Sequence, residues 1–214
     1  MMRIVCLANS FRTGGFCIGG VKLNSKNTPQ FSNNRPIWIR PISDLTHREI
    51  SQNIGRKISL LDIIEFEEIK STPLNHQVED YLIKENTIKI VGKFIKGEIN
   101  SLCDNNNFNL LFGNKGKAVP QETISELKHS LMLIRLNEYE VYDKIYKDKP
   151  YPKQRIKLNY NNVEYDFPIT DPDFIYNYKS NKNYISNTEI LFVTISLTAS
   201  LDNWYYKLAA GIIL

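Results

Sequence analysis

The stretch IVCLANSFRTGGFCIGG, residues 4–20, decides how the rest of the chain is read. The apolar run at 4–8 has the length of a strand, the segment Asn9–Gly15 is polar, and a second apolar run ends on Gly19-Gly20. Strand, tight connection and glycine-bent strand is how a small β barrel begins, because glycine admits the bends and close backbone approaches that closing a sheet requires. The connection carries more than a turn needs. Ser10, Arg12 and the backbone N–H groups beside Gly14 and Gly15 could receive an anion. The GxxxxGK[ST] pattern is missing and no helix is expected next, so this is no P-loop. An anion site and a sharply bent hairpin both fit.

The same grammar recurs along the 214 residues. Short runs rich in Ile, Val, Phe and Tyr, bounded by Asn, Gly and Pro, predict strands near 2–9, 16–24, 36–42, 58–69, 86–95, 131–146, 153–160, 163–169, 189–197 and 204–213. Helix signals are few. Pro120, followed by Gln121 and Glu122 with Ile124, Leu127 and Leu131 at helical spacing, predicts a helix over 120–130. Asp44 can cap a short turn over 45–50. Asn159–Val163 predicts a tight hairpin, since Asn tolerates positive φ. Segments 24–34 and 104–117 read as loose polar loops.

This pattern predicts a mainly β chain of two tandem OB-like barrels with one or two short helices, although a single sandwich fits it too. The expected division is an N-terminal barrel over 1–103, a loop and connecting helix over 104–130, and a C-terminal barrel over 131–214 whose final strands can pack back on the first. A net charge of +4 tolerates a polyanion without demanding one. Cys6, Cys17 and Cys103 have no CxxC spacing and there are only three histidines, so neither a metal nor another cofactor is expected. The odd cysteine count and the lack of an apolar leader-like run after Met1 point to a reducing cytoplasm, and no run is long enough to span a bilayer.

Four further stretches could carry chemistry. In PIWIRPIS, residues 36–43, strand alternation places Trp38, Arg40 and Ile42 on one face and Ile37 and Ile39 on the other. Exposed, Trp38 and Arg40 would stack a base and meet a phosphate, with Ser43 nearby; buried, they would be core and a structural ion pair. Asp62 interrupts the apolar run LLDIIEF and must be paired, with Arg40 or Lys207 as the expected partner. His76 sits close to Glu79 and Asp80. A hydrolase reading would use His76 as base, Glu79 or Asp80 to orient it, and Ser10 or Cys17 as nucleophile, with Asp62 at the same site. No GxSxG elbow supports it. Lys207, among aromatic and apolar neighbours, is expected to run its stem outward to solvent, with burial against Asp62 as the alternative.

With those residues in view, the chain resembles the bacterial dual OB domain-containing proteins. The likeness rests on IVCLANS at the start, WIRPIS at 38–43, LLDIIEF at 60–66, HQVEDYLI at 76–83, YDFPITDPDF at 165–174, and the closing VTISL and YYKLAAGII. The resemblance implies two OB barrels and, through them, nucleic-acid binding, with prokaryotic defence or conflict systems as a setting; the ligand expected is single-stranded DNA or RNA, or a nucleotide. The expected anion-binding set is Ser10, Arg12, Trp38, Arg40, Ser43 and Lys207. A nucleotide-processing enzyme built on Ser10, Asp62, His76 and Glu79, and an adaptor for a partner protein, are the alternatives.

Overall fold

The computed structural model describes every residue except Thr13, Asn75, Lys149 and Asn187, so Thr13 of the opening turn lies outside the described residues. The first half forms β1 (Met2–Arg12), β2 (Gly15–Leu23), β3 (Phe31–Ser32), β4 (Arg35–Pro36), β5 (Trp38–Ser43), a single helical turn α1 (Gln52–Gly55), β6 (Asp62–Ser71) and β7 (Asp80–Lys93). Five of these strands close into a barrel in the order β1-β2-β5-β7-β6, with β6 returning to β1. The β5–β7 pair is parallel and the others antiparallel. Alternation sends Ile4, Cys6, Ile18, Ile39 and Phe66 into the barrel interior and turns Val5, Leu7, Val21 and Trp38 to its outside.

The second half forms β8 (Ala118–Pro120), β9 (Leu131–Leu136), β10 (Tyr139–Lys144), β11 (Lys153–Tyr160), β12 (Val163–Pro168), α2 (Pro172–Ser180), β13 (Leu191–Leu197) and β14 (Trp204–Ile213). One sheet runs β8-β14-β13-β9 and another β10-β11-β12, and a parallel bridge between Ile169 and Ala209 joins them. The strand expected over 131–146 breaks at Asn137-Glu138 into β9 and β10. Taken as one bent strand, these two give the half-barrel the same pairing order as the closed barrel, with α2 in the place of α1. The chain is therefore mainly β and carries the OB pattern twice. Among the described residues no helix is long and apolar enough to cross a membrane.

Two local expectations are corrected. Residues 120–130 form no α-helix: Pro120 ends β8, which pairs with Trp204 of β14, and only a 3-10 turn follows at Ile124–Glu126. A run this short gains little from helical hydrogen bonds, and burying Ile124 needs only a turn. The helix that does form, α2, was legible in Asp171-Pro172. The Asp171 carboxylate accepts from the Phe174 N–H at 3.0 Å as N-cap, and Pro172 takes the first turn. Segment 104–117 is also less loose than its asparagines suggest. Buried Asp104 accepts from Arg35 Nε at 2.9 Å and from the Leu133 N–H at 3.1 Å, pinning the connection to both halves.

A third core lies between the halves. Val5, Leu7, Val21, Trp38 and Ile63 from the closed barrel meet Leu131, Leu133, Phe192 and Ile213 from the half-barrel. A bulge organises the contact: Cys6 pairs with Gly20 and Ala8 with Gly19, so Leu7 is the extra residue in β1. Its carbonyl turns to the half-barrel, where the Thr194 hydroxyl donates to it at 2.6 Å. Gly211 passes so close that a Cβ there would lie 2.2 Å from the same oxygen.

Candidate functional site

A groove of about 1420 Å³ lies between the two halves. The closed barrel lines it with Phe11 and Arg12 from the end of β1, Gly19 and Arg40 from β2 and β5, and Leu74 and Gln77 from the β6–β7 connection. The half-barrel contributes the equivalent positions: Tyr146 between β10 and β11, Arg155 and Asp166 on β11 and β12, and Thr198 between β13 and β14. In an OB fold the second and third strands with the two flanking connections form the ligand face. Here the corresponding faces of both halves line one groove.

Its walls are cationic. Nine Lys and Arg residues line it against four Asp and Glu. Three of the four carboxylates are already held, Glu49 by Arg12 at 3.0 Å, Asp80 by Arg40 at 3.1 Å and Asp166 by Arg155 at 2.7 Å. Arg48, Lys70, Lys115, Lys117 and Lys144 are exposed and have no carboxylate partner among the described residues. Aromatic surface accompanies the charge: Phe11 is 46% exposed, braced edge-on by Phe16, and Lys144 lies over the Tyr146 ring.

The structure sorts the residues expected from sequence. Ser10, Arg12, Arg40 and Lys207 line the groove; Trp38 and Ser43 do not. Trp38 and Arg40 do share the outward face of β5, but the half-barrel covers that face. Trp38 is 5% exposed within the inter-barrel core and cannot stack a base. Arg40, 6% exposed, is held by Asp80 and donates to Ser130 Oγ at 2.8 Å. Burial pushes the Asp80 carboxyl up to about 6 against the pull of Arg40. Ser43 is buried, its hydroxyl accepting from the Leu45 and Thr46 N–H groups to shape a turn.

The expected hydrolytic set is not assembled. Asp62 is buried and paired as expected, but with Lys93 at 2.8 Å rather than Arg40 or Lys207, and it caps the Ser59 N–H at 2.7 Å. Glu79 accepts from both the N–H and the hydroxyl of Ser130. His76 packs edge-on against Tyr205 and sets Nε2 3.1 Å from the Thr198 carbonyl; burial lowers its pKa to about 4. Cys17 lines the groove, but burial raises its thiol pKa and works against a thiolate. Lys207 does not reach solvent. It is 1% exposed, and its ammonium donates to the backbone and side-chain oxygens of Asn114 at 2.9 Å each.

The residues that sequence reading missed are Phe11, Lys70, Lys115, Lys117, Lys144, Tyr146 and Arg155. They are ordinary surface types until the repeated topology brings them to corresponding places. The remaining signal was Phe11-Arg12 in the opening connection, where a bare hairpin would have no use for an aromatic beside a cation.

The model of the dual OB-containing domain matches residues 2–212. The chain belongs to that family. No curated protein sequence matches this dual OB chain. Among solved structures, it is similar to a chain of a replication protein A heterotrimer bound to ssDNA, at 10% identity and a TM-score of 0.30. The alignment covers 91% of the dual OB chain and 43% of the replication protein A chain.

Proposed function

We propose that this protein binds single-stranded nucleic acid in the groove between its two OB units. The observation that carries the reading is the convergence of both OB ligand faces on one groove with nine cations, six of them without a carboxylate partner among the described residues. Cations without internal partners hold a phosphate backbone, and exposed aromatics hold bases whatever their sequence. A groove closed by a barrel on either side suits a single strand, whose bases are free to turn toward Phe11 and Tyr146.

The test is fluorescence anisotropy with labelled oligothymidine, oligouridine and a duplex of equal length. Single strands are expected to bind in preference to the duplex, and to weaken steeply between about 50 and 200 mM salt. Replacing Lys70 or Lys144 by Ala is expected to weaken binding and to reduce the salt slope by about one. Absence of binding to every strand at low salt overturns the proposal.

A further inference from the structure

We infer that Lys207 forms a discrete phosphate subsite beneath the groove, distinct from the lysines of its rim; the inference rests on the nucleic-acid reading above. Along β14, Lys207 falls on the same face as Tyr205 and Ala209, which belong to the half-barrel core. It lines the floor of the groove two residues along β14 from the Ile169–Ala209 bridge that joins the two sheets. An ammonium has three donors. Two meet the Asn114 oxygens, and the third finds no oxygen acceptor among the described residues.

The groups packed around it carry no balancing charge. From β12 comes the Tyr165 ring, 4.9 Å away; from the connecting segment, Asn114 and the Lys117 carbonyl, which accepts the Lys207 N–H at 3.0 Å; from β13, Leu197. Lys115 and Lys117 are exposed cations of the same segment. Glu164 and Asp166 alternate with Tyr165 and so point to the other face of β12, with Asp166 held by Arg155. A cation held out of water without a counter-ion is costly, and a phosphate arriving through the groove supplies one.

The physical consequence is a measurable proton. Burial lowers the Lys207 ammonium to about 7 in the free protein, and a phosphate beside it favours the charged form. Binding above neutral pH must then draw in a proton, and affinity must fall as pH rises. Asp80, at about 6, is already ionised throughout that range.

Calorimetric titration of oligothymidine into the protein at about pH 8, in two buffers of different ionisation heat, reads the proton directly; uptake approaching one proton per strand is expected. Affinity is expected to fall toward tenfold per pH unit between about 7.5 and 9. Lys207→Met, first shown by its thermal transition to be folded, should lose both effects. Lys117→Met should weaken binding and keep them. His47→Gln checks that the groove's histidine is not the source. Binding without proton uptake, or uptake that survives in Lys207→Met, overturns the subsite and leaves the nucleic-acid reading intact. Should Lys207→Met not fold, the two-buffer measurement on the unmodified protein decides alone. Failure of any strand to bind at any pH overturns the nucleic-acid reading itself.

Discussion

Arg40 and Asp80 face each other across the parallel β5–β7 pair with their charged atoms 3.1 Å apart. The same guanidinium donates to Ser130, which Glu79 holds from the other side. The Arg40→Ala change therefore strands a buried carboxylate, and is expected to cost about 3–5 kcal/mol of stability in urea denaturation. Adding Asp80→Asn should recover part of that loss. An Arg40→Ala protein of unaltered stability that binds strands poorly would instead make Arg40 a ligand group.

Gly211 is expected to tolerate no side chain. A Cβ would meet the Leu7 carbonyl, where the two halves touch, and backbone cannot yield as a side chain does. The Gly211→Ala change should cost roughly 1–3 kcal/mol and shift Trp38 emission to the red as the inter-barrel core loosens. Unchanged emission in a folded, destabilised variant would place the damage inside the half-barrel instead.

Phe11 should matter to binding and little to folding. Its ring is exposed at the groove, so Phe11→Ala is expected to cost about 1–3 kcal/mol of single-strand affinity at any salt, as loss of one stacked base does. A loss confined to low salt would argue against stacking. Trp38→Ala, by contrast, should act on stability through the cavity it leaves, by about 3–5 kcal/mol.

His129 should make the fold acid-sensitive. Its ring is stacked beside Phe108 and Phe112, with Nε2 buried and unpartnered among the described residues. Burial, aided by Arg35, depresses its pKa from 6.5 to about 3. Between those values the unfolded chain binds a proton that the folded chain refuses, so the contribution is complete above 6.5 and is lost as pH falls toward 3. The His129→Phe variant should therefore gain on the unmodified protein in thermal stability as pH drops from about 7 to 4.5. A gap in melting temperature that stays constant over that range would contradict the assignment.

Much of the β architecture was written in the sequence because alternation and turn residues are local. Alternation alone puts Trp38 and Arg40 on one strand face; what covers that face is set by Phe192 and Ile213, more than 150 positions away, and no local pattern announces it. Lys207 failed for a related reason. Its apolar neighbours fit either an outward stem or a buried amine, and the choice falls to Asn114 in a segment that read as loose loop. The false helix at 120–130 shows the converse, a sound local signal overruled when β14 recruited Pro120 as a strand end. The groove's rim lysines had no signal of their own, because only the second copy of the OB pattern puts them opposite the first.

Leu7 and Thr194, hydrogen-bonded in the finished fold, are 187 positions apart. At about 5–20 residues per second, a ribosome that has made the first must work for roughly 10–40 s before it makes the second. The strands of the closed barrel are all synthesised by Lys93, so for the later part of that interval, roughly 5–20 s, Trp38 and its apolar neighbours look outward from a barrel that is otherwise ready to fold. The surface that later joins the halves is thus, during synthesis, an exposed apolar face of the nascent chain. A stalled ribosome short of β13 and β14 would leave it uncovered for a chaperone or another nascent copy to find.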